Sequence, residues 1–101
     1  MKIYIDDVRQ EPDGWVRCYW PDEVLQLCEL AHVEAVSLDH DLGDDERGTG
    51  YDVLRTLEEW AHSDDEEVRD RVPPTLKVHS ANVAARARME SAIAAIQRQL
   101  G

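Results

Sequence analysis

Carboxylates and imidazoles crowd the ends of three short apolar runs in this 101-residue chain. Ile3-Tyr4-Ile5 runs into Asp6-Asp7. Val33 to Val36 leads into Ser37-Leu38-Asp39-His40-Asp41-Leu42-Gly43, and Leu76-Lys77-Val78 leads into His79-Ser80-Ala81-Asn82. Short apolar runs bounded by turn residues read as buried strands. In open α/β sheets, ligands bind outside the carboxyl ends of the strands. One active site, built on one edge of a sheet, is the expectation.

The chemistry follows from the residue types. Asp6, Asp7, Asp39 and Asp41 come from two strand ends, and if those strands are neighbours their carboxylates converge. Like charges so close repel unless protonated or bridged by a cation. Hard oxygen ligands with open water positions suit Mg²⁺, with Mn²⁺ as the alternative. Asp41 also has the ordinary role of a cap or turn former open to it. A calcium loop starting at Asp39 is excluded, because Gly43, Asp44 and Gly50 fall where an oxygen ligand, the glycine and the glutamate are needed. His40 and His79 adjoin independent strand ends and suit general acid/base work near neutral pH. His32 and His62 lie on helices and read as structural groups, and no third histidine or cysteine completes a zinc site. Ser80 and Asn82 precede the last helix, whose free N–H groups make an anion site, and Arg86 lies one turn further in. One of Ser80 and Asn82 caps that helix.

Those groups need elements to hold them. Strands are expected over 2–5, 15–20, 33–38 and 75–79. The segment Val8 to Gly14, with Pro12 and Asp13-Gly14, reads as a loop where a first helix could stand. Pro21-Asp22-Glu23 opens a helix whose apolar positions are Val24, Leu25, Cys28 and Ala31. A second helix, Tyr51 to Ala61, aligns Val53, Leu54, Leu57 and Trp60, and the last, over 83–99, aligns Met89, Ile93, Ile96 and Leu100. The charged stretch 63–71 reads as a solvated helix end or linker, stopped by Pro73-Pro74. Gly43, Gly48 and Gly50 lack a nucleotide-binding pattern and read as a tight or mobile loop over the site. Strands alternating with helices predict a mostly parallel sheet with right-handed crossovers.

Composition bounds the class. The length suits one domain over 1–101. No apolar run reaches the ~20 residues of a membrane span, and no signal-peptide pattern opens the chain, so a cytoplasmic protein without membrane contact is expected. Cys18 and Cys28 read as reduced thiols in or near the core. The net charge of −11 argues against general binding of double-stranded nucleic acid, which requires basic phosphate contacts. Charge is nonetheless uneven: Lys77, Arg86, Arg88 and Arg98 face Glu90 alone in residues 73–101.

An acidic pair after strand one, an aspartate after strand three and a hydroxyl-alanine pair after strand four resemble the receiver domain of response regulators. The resemblance implies a receiver-like, flavodoxin-like, doubly wound parallel sheet, truncated here to about four strands with flanking helices. It places Asp6 and Asp7 at Mg²⁺, Asp39 at the phosphoacceptor position and Ser80 at a phosphoryl group. The receiver's fifth strand and its lysine have no counterpart in 1–101, and receivers lack histidines beside the acids. With Gly48-Thr49-Gly50-Tyr51-Asp52, Pro12-Asp13-Gly14-Trp15, Arg86 and Met89, the blocks SLDHDLG and HSAN are closer to the cyclic-phosphate-processing receiver-like family.

That second resemblance implies metal-dependent opening of 2′,3′-cyclic phosphate ends of RNA or of related cyclic nucleotides, in RNA repair or phage conflict. A divalent ion on Asp6, Asp7 and Asp39 would neutralise the phosphate, while Ser80, Asn82 and the helix N-terminus orient it. One of His40 and His79 would activate water and the other protonate the leaving oxygen. Two other classes stay open: a receiver-like signalling or binding module with Asp39 as phosphoacceptor, and a protein that sequesters a cyclic nucleotide. Strand four offers an edge that invites pairing, so a homodimer is a further expectation.

Overall fold

The computed structural model describes residues Met1–Gly101. Its elements run β1 (Lys2–Ile5), β2 (Val16–Cys18), α1 (Pro21–Leu30), β3 (Ala35–Leu38), α2 (Gly50–Ala61), α3 (Glu66–Arg69), β4 (Thr75–Val78) and α4 (Val83–Leu100). The four strands form one parallel sheet in the order β2-β1-β3-β4. This is a truncated receiver-like α/β fold. No helix is long and apolar enough to cross a membrane.

Strand alternation sorts the side chains. Ile3, Ile5, Cys18, Val36, Leu38 and Leu76 share one face and join a single buried cluster with Val24, Cys28, Val53, Leu54, Leu57, Met89, Ile93 and Ile96. The three long helices therefore lie on that face. Each of these side chains, fully buried, contributes about 1.5–3 kcal/mol. The opposite face has no helix over it within 1–101, because the β1–β2 connection is a loop. That loop turns where Trp15 N–H donates to the Pro12 carbonyl (3.1 Å), with Gly14 at φ +85°.

Local chemistry sets the helix starts. The Glu23 carboxylate accepts from the Tyr19 and Trp20 N–H groups (3.0 and 2.9 Å), closing the first turn of α1. Asp52 does the same for Thr49 N–H at α2 (2.7 Å), and the Asn82 side-chain Oδ1 accepts from Ala85 N–H at α4 (3.1 Å). Such caps satisfy donors that have no intrahelical acceptor.

The structure corrects the expected elements in five places. Strand β3 begins at Ala35, with Val33 buried ahead of it. Strand β2 holds three residues, since Trp15 leaves the ladder to meet Tyr4 edge-on. The charged 63–71 stretch contains the single turn α3, capped by Asp65, whose carboxylate accepts from Glu67 N–H. Ala31 is the exposed C-cap of α1, and Leu100 is 40% exposed. The 18 residues of α4 span about 27 Å, whereas a four-residue strand spans about 13 Å, so the last turn overruns the core.

Candidate functional site

The parallel ladder continues one residue beyond the strands. Asp6 N–H donates to the Cys18 carbonyl (3.3 Å), Asp39 N–H to Ile5 (3.0 Å) and His79 N–H to Leu38 (2.9 Å). Asp6, Asp39 and His79 thus stand in one row at the carboxyl edge, and alternation turns all three to the helix-free face. Ligand oxygens of Asp6, Asp7 and Asp39 lie within 4.8 Å of one another. Two ionised carboxylates at that separation repel by about 3.5 kcal/mol at an effective dielectric of about 20.

Asp6 is the anchor. It is 1% exposed, and its Oδ1 accepts from the Val8 and Arg9 N–H groups (2.8 and 2.9 Å). Burial would raise its pKa, but those two bonds and the adjoining His79 together hold it below the usual carboxylate range. Asp39 goes the other way. Burial and then the charge of Asp6 push it up, against the lowering hydrogen bonds from His40 N–H (2.8 Å) and the Ser80 hydroxyl. Oxygen-only donors under mutual repulsion match what a hard divalent cation requires. Asp6, Asp7 and Asp39 could hold one.

His79 is bound on every side. Nε2 lies 3.0 Å from Asp6 Oδ2, Nδ1 lies 2.7 Å from Ser37 Oγ, and the ring stacks on Tyr4 at 4.2 Å with a 4° tilt. An ionised Asp6 only accepts, so Nε2 carries the hydrogen and the Ser37 hydroxyl donates to Nδ1. Burial lowers the His79 pKa, only partly offset by Asp6. Arg9 also donates to the His79 carbonyl (2.7 Å).

His40 is arranged differently. Its Nδ1 lies 2.8 Å from Asp41 Oδ1, and Nε2 has no hydrogen-bond partner. Asp41 stands outside the carboxylate cluster, its side chain 61% exposed. Ser80 is buried, and its Oγ accepts from Asn82 N–H (3.1 Å). The Asn82 side-chain oxygen is taken up by the α4 cap. Arg86 pairs with Glu90 along the helix (3.0 Å) and does not join the group.

Two features escaped sequence reasoning. Ser37 and Tyr4 hold His79, and their position two residues before Asp39 and Asp6 was the available signal, since strand residues two apart share a face. Gly50 is the other. A Cβ on Gly50 would fall 1.8 Å from the Asp39 carbonyl oxygen, so only glycine lets α2 start this close to the site. Gly43, at φ +95°, brings the same loop to within 3.3 Å of Asp7 Oδ2, measured from the position a Cβ would take.

The family model for the cyclic-phosphate processing receiver domain matches residues 1–95. The chain belongs to that family. No curated protein and no solved structure matches it. The row of Asp6, Asp39 and His79 lies at the carboxyl ends of the strands, the edge at which open α/β sheets bind ligands. The name implies a role in cyclic-phosphate processing and the substrates that go with it.

Proposed function

We propose that this domain hydrolyses 2′,3′-cyclic phosphates, at the ends of RNA or in related nucleotides, to phosphomonoesters. The observation that carries the reading is the contrast between the two histidines. His79 has both ring nitrogens engaged, whereas His40, held through Nδ1 by Asp41, leaves Nε2 without a hydrogen-bond partner.

Asp6, Asp7 and Asp39 would hold a hard divalent cation, Mg²⁺ or Mn²⁺, which would supply neutralising charge and Lewis acidity at the phosphate. The Ser80 hydroxyl and the N-terminus of α4 orient the phosphate oxygens. His40 Nε2 takes a proton from the attacking water as the new P–O bond forms, and Asp41 stabilises the resulting imidazolium. One ribose–phosphate P–O bond breaks, and the departing oxygen takes its proton from solvent at the open side, where Asp7 is exposed. His79 is a positioning residue: it holds Asp6 in place and touches no reacting atom.

The test is a purified sample with Mg²⁺ or Mn²⁺ and an oligonucleotide ending in a 2′,3′-cyclic phosphate, with the product identified by mass. A gain of one water is expected, and His40→Ala should lower kcat by about 10²–10⁴-fold. No product with any divalent ion would end this reading. Binding of the cyclic nucleotide without turnover would favour sequestration instead. A second reading rests on Asp39, whose carboxylate lies beside the Ser80 hydroxyl as a phosphoacceptor's would. Transfer of a phosphoryl group from a small phosphodonor to Asp39, seen in the intact mass, would support it.

A further inference from the structure

Arg9 reaches across the carboxylate row. Its backbone N–H donates to Asp6 Oδ1 (2.9 Å), and its guanidinium Nη1 donates to the His79 carbonyl (2.7 Å). Asp6 follows β1 and His79 follows β4, with β3 between those strands. The side chain therefore bridges strands two spacings apart, about 10 Å, past the end of β3 where Asp39 stands. Yet Arg9 forms an ion pair with none of the acids around it. Asp6 does not draw it in, because Oδ1 already accepts from Val8 and Arg9 N–H and Oδ2 meets His79. Of the guanidinium only Nη1 is engaged, and the residue is exposed, so the Nε–Nη2 edge is open. Arg86, whose spacing pointed to a phosphate, gives its Nε to Glu90 instead (3.0 Å).

We propose that Arg9 grips the substrate's phosphate, its Nε–Nη2 edge donating to the two non-bridging oxygens of a cyclic phosphate diester. The inference rests on the cyclic-phosphate reading and deepens it, by naming the cation that the substrate's own charge meets. Two parallel N–H bonds on one guanidinium edge match two oxygens on one phosphorus. A cyclic diester carries its single negative charge on such a pair. Three ionised carboxylates around one divalent ion leave a net negative charge, which still repels a phosphate. A guanidinium held beside them cancels that remainder. The bond to the His79 carbonyl fixes the fork in place before the ligand arrives, so little ordering is left to do on binding. The same bond ties the ends of β1 and β4 together, and a purely structural tie is the rival account.

The experiment titrates wild type, Arg9→Gln and Arg9→Lys by calorimetry, with Arg88→Gln, exposed on α4, as the control for net charge. The probes are Mg²⁺ alone, inorganic phosphate with Mg²⁺, and a 2′,3′-cyclic mononucleotide with Mg²⁺, whose hydrolysis is followed by mass. Arg9→Gln should weaken both phosphate probes about tenfold or more. Arg88→Gln should change them by less than about twofold. Mg²⁺ alone should bind Arg9→Gln about twofold tighter or more, because a neighbouring positive charge is gone. A structural tie would do the opposite, weakening Mg²⁺ and phosphate together as the strand ends part. Arg9→Lys keeps the charge and a donor for the His79 carbonyl, so the test stands if Arg9→Gln fails to fold. Without the fork it should still bind phosphate about threefold more weakly. Unchanged phosphate affinity in the Arg9 variants would overturn the proposal, as would joint loss of Mg²⁺ and phosphate binding in folded Arg9→Gln. Arg9-dependent phosphate binding without hydrolysis would count against the proposed reaction alone. Hydrolysis indifferent to Arg9 would count against the phosphate grip alone.

Discussion

Asp39 is the residue on which the site's electrostatics turn. Its carboxyl is raised by burial and by the neighbouring charge of Asp6, so ionised Asp39 costs the metal-free fold stability. Asp39→Asn should raise metal-free stability, by up to about 3 kcal/mol, and abolish any increase in Tm on adding Mg²⁺. Thermal unfolding with and without the ion checks both halves. An equal Mg²⁺ shift in the variant would exclude Asp39 as a ligand. His79 sets a pH dependence of opposite origin. Its folded pKa lies below the ordinary 6.5, chiefly through burial, so the unfolded chain binds its proton more readily. The resulting stability is complete above about pH 6.5 and is lost as pH falls from there through the folded value. Urea unfolding from pH 7.5 to 5 should show this decline in wild type, and His79→Gln should flatten it.

At the scale of elements, the start of α2 is what keeps the loop after β3 in place. Gly50 N–H donates to the His40 carbonyl (3.0 Å), and the missing Cβ lets the helix press on Asp39. Propensity alone favours Gly50→Ala by about 1 kcal/mol. The 1.8 Å approach to backbone, with Met89 Cε at 3.1 Å behind it, predicts the reverse. A loss of about 1–3 kcal/mol is expected, with weaker Mg²⁺ binding because Asp39 moves. Denaturant midpoints and a metal titration on the same variant read the two effects. A stabilised Gly50→Ala would show that the loop yields freely. The glycine was visible in the sequence as a loop former, but helix and carbonyl meet only through the packing of α2 on α4.

For the whole molecule, one core under one sheet face carries the fold. Cys18 and Cys28 sit in that core as free thiols, each pushed up to about 11, first by burial. Thiolate is the reactive form, so neither should react with a disulfide reagent at pH 8 until the protein opens. Labelling of both together, at a rate tracking global unfolding across a urea series, is the expected result. Fast labelling of one in native buffer would mean that its element frays locally.

Local pattern was enough to read the parallel order of strands and helices, the carboxylate and imidazole ends, and the helix faces built on Val53, Leu57, Met89 and Ile96. Each depends on residues close along the chain, where side-chain period and capping chemistry act. Only the folded molecule decided that His79 spends both nitrogens on Ser37 and Asp6, that Asp41 serves His40, and that Arg86 turns to Glu90. Those are choices among competing partners, and the distances that settle them arise when separate segments meet across the sheet.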